Sequence, residues 1–393
     1  MRKNYKLTLL SCFGSYLVQS TVINFLPLLF IMFHDSFGIP LQQITLLVTV
    51  NFIVQLGADL IAAIFIDRVG YRVGAVGSQV FCAAGLILLT FLPELMPTPF
   101  VGILISVVVY SVGAGLIEAL ISPIVESTPS DNKETAMSLL HSFYCWGHVM
   151  VVLVSTLFFW LFGIENWRKM ALIWAILPVV VAAAFCVVPL CPLIKEGEQR
   201  MSWKELATSK LFWIMVLMMI CSGASEHAVS QWASAFAERG LGVSKAIGDL
   251  AGPMAFAATM GTCRVLHGTV GKKWNLRKFI IFSACLCLLS YMMITLVPNP
   301  VVNLIGCAVC GFAISIMWPG TLSIAGKMLP LGGTAMYAIL ALAGDIGCST
   351  GPTLVGFVSG AFGDNLKFGI IAACIFPLVI LLCLMKGNLG KEE

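Results

Sequence analysis

The sequence predicts an all-α polytopic membrane protein with twelve transmembrane helices in two pseudo-symmetric six-helix bundles. Three observations carry that expectation. Composition is the first: the chain is 59% hydrophobic and 11% charged, where soluble domains run about 45–50% apolar and about 25% charged. So few charges cannot cover an aqueous globule. The second is a recurrence of apolar runs about 20 residues long, the length a helix needs to cross a bilayer. The roughly ten-residue alternation of β-barrel strands is absent. The third is an echo between halves. Ser122-Pro123 closes the fourth run as Trp318-Pro319 interrupts the tenth. The turn Asp67-Arg68-Val-Gly70-Tyr-Arg72 follows the second run as Gly268-Thr-Val-Gly271-Lys-Lys273 follows the eighth. Two six-span repeats of this kind place a binding site near the membrane midplane.

Loop signals set the spans. In the first half they fall at 7–33, 43–66, 73–92, 100–126, 137–162 and 170–190; in the second at 211–237, 246–270, 278–297, 301–325, 333–361 and 366–385. The first run is too long for the core of a cleaved signal and is expected to remain as a span. Residues 1–190 then form an N-terminal bundle, 191–210 a polar linker, and 211–393 a C-terminal bundle. Lys and Arg set the orientation. With the N-terminus cytoplasmic, seventeen of the 23 fall on the inside and five outside, with Arg264 left within a span. That bias predicts both termini and the linker inside.

Several functions are excluded. A net charge of +4 is scattered over short loops, so no basic patch for nucleic acid is expected. Cysteines such as Cys12, Cys82, Cys145, Cys221, Cys285 and Cys287 lie in apolar spans and read as packed free thiols. Cys307-Ala-Val-Cys310 lacks a second ligand pair, and no metal or cofactor is expected. The chain carries no nucleophile elbow, phosphate-cradling loop or zinc-binding helix. It has no room for a nucleotide-binding domain, so an enzyme or ATP-driven pump is not expected.

What remains is a set of polar residues that lipid would penalise. Glu118 stands alone in the run from Val101 to Val125, at a cost of about 2.5–3.5 kcal/mol on insertion scales. Its helix face carries Ser111, Gly115 and Ser122, all small or polar. An acid that meets wet and dry surroundings in turn can load and release a proton, and direct hydrogen bonding to substrate is the rival role. Asn51, Gln55 and Asp59 recur every four residues on the second span and form one stripe; it faces a cavity or another helix, with Asp59 toward a gate. The fifth span carries Ser138, His141, Cys145 and His148 on one face, with Trp146 beside them. The seventh carries Ser222, Glu226 and Ser230, flanked by His227, Gln231, Ser234 and Trp232. Carboxylate, imidazole, amide and indole together suit a polyhydroxylated ligand, whose hydroxyls need polar partners and whose less polar face stacks on a ring. Structural pairing is the alternative. Arg264 needs an acidic partner, with Asp345 the first candidate and Glu226 the second. Small residues four apart in Gly347 through Gly351-Pro352 permit close helix contact.

The turn from Asp67 to Arg72, with this topology, resembles the major facilitator superfamily, and the likeness covers the whole chain. Within it the chain resembles the fucose-permease-like sugar symporters, through Gly113-Ala-Gly-Leu-Ile-Glu118-Ala-Leu-Ile-Ser-Pro123, Gly223-Ala-Ser-Glu226-His-Ala-Val-Ser-Gln-Trp232, and Gly344-Asp345-Ile-Gly347 through Gly351-Pro352. The resemblance implies the major facilitator fold, alternating access, and proton-coupled sugar binding through Glu118. The first span departs from that family: its acid before a proline is missing, and Asn24 stands nearest Pro27.

The expectation is therefore a secondary transporter of the bacterial inner membrane, a monomer that moves a sugar or similar small polar metabolite. Its substrate site would be drawn from Gln19, Asn24, Asn51, Gln55, Glu118, His141, Trp146, Glu226, His227, Gln231, Trp232 and Trp318. Glu118 and Glu226 would couple a proton. Asp59, Asp67, Arg68, Arg72, Arg264 and Asp345 would serve gates or structural ion pairs. The alternatives are a multidrug or amphipathic-metabolite exporter of the same fold, or a sodium-coupled or uncoupled sugar carrier.

Overall fold

The computed structural model describes residues 5–129, 133–190, 203–270, 275–329 and 333–386, and every regular element among them is helical. Eleven of the described helices are long and apolar enough to cross a membrane. The eighth crossing is assembled from Lys245–Asp249, a π turn at Leu250–Met254 and Ala255–Val270. Pro253 sits in that turn. A proline withholds its N–H from the helix ladder and crowds the preceding turn, and a π bulge accommodates both. The twelve crossings alternate with short connections. Most of the predicted linker, residues 191–202, lies outside the described residues.

Two compact units divide the chain, Met1–Ile194 and Lys195–Glu393. Their internal packing repeats. In the first unit the fourth span packs on the second and third, and the first span on the fifth; in the second unit the tenth packs on the eighth and ninth, and the seventh on the eleventh. Glycines set these contacts. A Cβ on Gly115 would collide with the carbonyl of Gln55, and one on Gly311 with that of Phe256, the corresponding place in the other unit. Gly347 and Gly351 bring the eleventh span onto the Ile220 and Ala224 carbonyls of the seventh in the same way.

The lead span of each unit is interrupted, against the expectation of continuous helices. The first runs as Tyr5–Asn24, a 3₁₀ turn at Leu26–Leu29 and Phe30–Phe37. Pro27 explains that break, since it cannot donate into the ladder and disfavours helix at Leu26. The seventh runs as Lys210–Ser230, a turn at Gln231 and Trp232, Ala233–Ala235, and a π turn at Phe236–Gly240. No proline or glycine occupies that break. Trp232 is fully buried there and donates from Nε1 to the Pro352 carbonyl at 3.0 Å.

Two arginines also occupy matching places. Arg72 opens the third span and donates to the carbonyls of Phe185 (2.6 Å), Cys186 (2.8 Å) and Val188 (2.8 Å) at the end of the sixth. Arg277 opens the ninth and donates to the Leu384 carbonyl near the end of the twelfth, at 2.6 Å. Terminal carbonyls lack intrahelical partners and carry the negative end of the helix dipole, so a guanidinium satisfies both needs. Arg72 is expected with Asp67 and Arg68 at a gate or in structural ion pairs. Its guanidinium clamps a helix end within its own unit. The side chains of Asp67 and Arg68 lie outside the described residues.

Candidate functional site

In the first unit the polar face of the fourth span meets a partner at every turn. Ser111 Oγ donates to Asn51 Oδ1 of the second span at 2.7 Å. One turn on, Gly115 lies against the Gln55 backbone. Glu118 Oε2 then accepts from Gln19 Nε2 of the first span at 3.1 Å. Last, Ser122 Oγ pairs with Tyr16 Oη at 3.0 Å. The second span holds the N-terminal part of this face and the first span the C-terminal part. Four-residue spacing on one helix and close approach at Gly115 make the ladder possible.

Some of this polar capacity is unspent. Gln55 Nε2 is buried with no hydrogen-bond partner among the described residues. Glu118 is only partly buried. His141 packs edge-on against Tyr16 with ring centroids 5.6 Å apart, so the fifth span joins the same group. Trp146 is 46% exposed on that helix. Asn24 turns its amide back onto its own helix, to the Ser20 carbonyl at 2.9 Å and Ser20 Oγ at 3.3 Å.

The second unit has a charged counterpart. Arg264 Nη2 lies 3.3 Å from Glu226 Oε2, and Arg264 Nε donates to the Ser315 carbonyl at 3.3 Å. Glu226, the second of the two acids considered for Arg264, lies within ion-pair distance of it. Glu226 sits on the helix Lys210–Ser230 of the lead span and Ser315 between Pro300–Ile314 and Met317–Met328 of the tenth, so the guanidinium ties these two spans together. Asp345 is buried on the eleventh span beside Gly344, whose α-carbon lies against the Trp318 ring. Tyr291 Oη donates to the Ser225 carbonyl at 2.8 Å and fixes the turn that presents Glu226. At the break, Ser230 Oγ and Gln231 Nε2 are buried with no partner among the described residues. His227 is buried one turn before Gln231. No group of three metal-ligating side chains occurs among the described residues.

Three polar residues escaped the sequence reading. Tyr16 bridges the first, fourth and fifth spans, and a hydroxyl three residues before Gln19 was its only signal. Gln79 is buried on the third span and donates to Ser15 Oγ at 3.1 Å. Asp249 is buried where the eighth span begins, accepts from Ser234, and pairs with Lys245 Nζ at 3.2 Å. The i,i+4 spacing of Lys245 and Asp249 was the legible clue there.

A multi-pass helical protein with two internally repeated units and polar faces buried in each belongs to the class of membrane carriers. The family model of the major facilitator superfamily matches residues 8–352, and the chain belongs to that superfamily of transporters. No curated protein matches the sequence. Among solved structures the chain is similar to a bacterial homologue of the human lysosomal transporter Spinster, inward-facing and occupied. That match has TM-score 0.78 and 16% identity over 98% of this chain and 97% of that one. It is also similar to the E. coli fucose:proton symporter, with TM-score 0.66 and 16% identity over 98% of this chain and 99% of that one. A second structure of that symporter, in the outward conformation, matches at TM-score 0.66 and 15% identity over 97% of this chain and 99% of that one.

Proposed function

We propose that the protein moves a sugar or similar small polar metabolite across a bacterial inner membrane by alternating access, coupled to a proton through Glu118. It works as a monomer with both termini cytoplasmic. The observation that carries this is the Gln19–Glu118 hydrogen bond beside the buried, unpartnered amide of Gln55. A carboxylate within a membrane span persists where it handles a substrate or an ion. Amide donors next to it suit hydroxyls, each of which both donates and accepts. Ser230 and Gln231 supply the same chemistry in the second unit, with Trp232 buried beside them. The fold likeness to a fucose:proton symporter is compatible with this substrate class and this ion.

A thermal-shift screen of sugars against hydrophobic cations tests the substrate class; stabilisation by cations alone would favour an exporter and overturn it. Coupling is tested in proteoliposomes with a sugar that the screen identifies. Glu118→Gln is expected to abolish uphill uptake driven by a pH gradient while sparing counterflow. Uphill uptake that survives in the variant removes Glu118 from the coupling step, and uptake that follows sodium rather than pH replaces the ion.

A further inference from the structure

We propose that Asp59 and Glu118 form a two-carboxylate site that holds one shared proton, with the Gln55 amide as its adjoining donor. The proposal deepens the proton-coupled reading above and rests on it. It assigns to the second span the second acid that the first span lacks.

Helix register places the two acids together. The second and fourth spans run in the same direction, because alternate spans of a hairpin series do. Two contacts fix their alignment. Ser111 bonds to Asn51, 60 positions earlier, and Gly115 lies against Gln55 at the same offset. The Gly115 contact extends to Ala58, whose Cβ would lie 2.9 Å from an added Cβ. Carried one turn further, that register sets Glu118 level with Ala58 and Asp59. The remaining mismatch is one residue, about 1.5 Å of rise. Asp59 continues the stripe of Asn51 and Gln55, the stripe that meets the fourth span.

The surroundings favour a proton over a metal ion. Gln19 presents an N–H to Glu118. Gln55 is 4% exposed, and its Nε2 has no partner among the described residues. Donors of this kind stabilise a carboxylate pair with one proton between them and repel a cation. Two carboxylates at short range share a proton because both cannot ionise without strong repulsion. Among the described residues, Tyr16 comes from the first span, one turn further along, and His141 from the fifth, against Tyr16. Cys82 of the third span lies against Gly113, on another face of the fourth. The proton arrives from water on one side of the membrane, resides on the pair as a carboxylic acid, and leaves to water on the other.

Infrared titration of the carboxyl C=O stretch tests this on the purified full-length protein and needs no substrate. Asp59→Asn and Glu118→Gln are each expected to let the remaining carboxyl release its proton at least about tenfold more readily, since the repulsion holding it is gone. Asp59→Glu should retain the shared signal. A Glu118 titration that moves less than twofold in Asp59→Asn overturns the proposal, as does a band that answers to sodium and not to pH. If Asp59→Asn does not fold, Glu118→Gln reads the same coupling from the Asp59 side. The two readings fail separately. An unmoved titration sinks the shared site while leaving Glu118 as a lone coupling acid. Uphill uptake that persists in Glu118→Gln sinks the coupling while leaving the shared proton.

Discussion

The Glu226–Arg264 pair separates a structural charge from a coupling one. The two side chains are 9% and 17% exposed, with nitrogen and oxygen 3.3 Å apart. At that distance and an effective dielectric of about 20, the attraction is about 5 kcal/mol before desolvation is subtracted. Removing one partner of a buried pair leaves the other charge uncompensated, at about 3–5 kcal/mol. The partial exposure of Arg264 and its second bond to the Ser315 carbonyl soften the loss, so about 3 kcal/mol is expected for Glu226→Gln. For a unit of this size that is about 6–12 °C in thermal unfolding. The double variant Glu226→Gln with Arg264→Gln removes both charges and should recover more than half of it. Unfolding in detergent, followed by intrinsic fluorescence, reads both. Glu226 was also a candidate coupling acid, and its engagement by Arg264 predicts that the double variant keeps pH-driven uptake. A single variant as stable as the wild type would refute the structural role. A stable double variant that has lost pH-driven uptake while keeping counterflow would return Glu226 to the coupling step.

Three other expectations follow from single contacts, beside the loss of coupling expected for Glu118→Gln. Arg72→Ala strips charged donors from three carbonyls and should cost about 2–4 kcal/mol. Arg72→Lys should restore less than half, because a point charge cannot fork among them; thermal unfolding measures both, and a loss under about 1 kcal/mol contradicts the clamp. Gly115→Val drives a side chain into the Gln55 carbonyl and should cost at least about 1–3 kcal/mol. It should also weaken binding of a sugar that the thermal-shift screen identifies, which isothermal titration checks. Trp232→Phe keeps the ring but leaves the Pro352 carbonyl without its indole donor, at about 1–3 kcal/mol, read as a lowered unfolding temperature.

The spans and their polar faces were readable because helix periodicity is local. Asn51, Gln55 and Asp59 share a face by spacing alone, and so do Ser111, Gly115 and Ser122. The break at Pro27 follows from chemistry within one residue. The break at Gln231 and Trp232 does not, because neither residue is a helix breaker. The interruption coincides with an indole anchored on a carbonyl of another helix. Arg72 shows a different limit. Its motif marks a turn and a positive charge, while the carbonyls it clamps lie more than a hundred positions away.

The sequence by itself determined that this chain lives in a membrane, crosses it twelve times in two related halves, and keeps a carboxylate where lipid would exclude one. Those conclusions rest on composition and on repeats of 3.6 residues, which survive without knowledge of neighbours. Only the tertiary structure decided which polar faces meet. Ser111 finds Asn51, Glu118 finds Gln19, and Glu226 lies against Arg264. Helix register selects those partners, and it is set by glycines whose missing side chains let one backbone rest on another. No pattern within a single helix records which backbone that is.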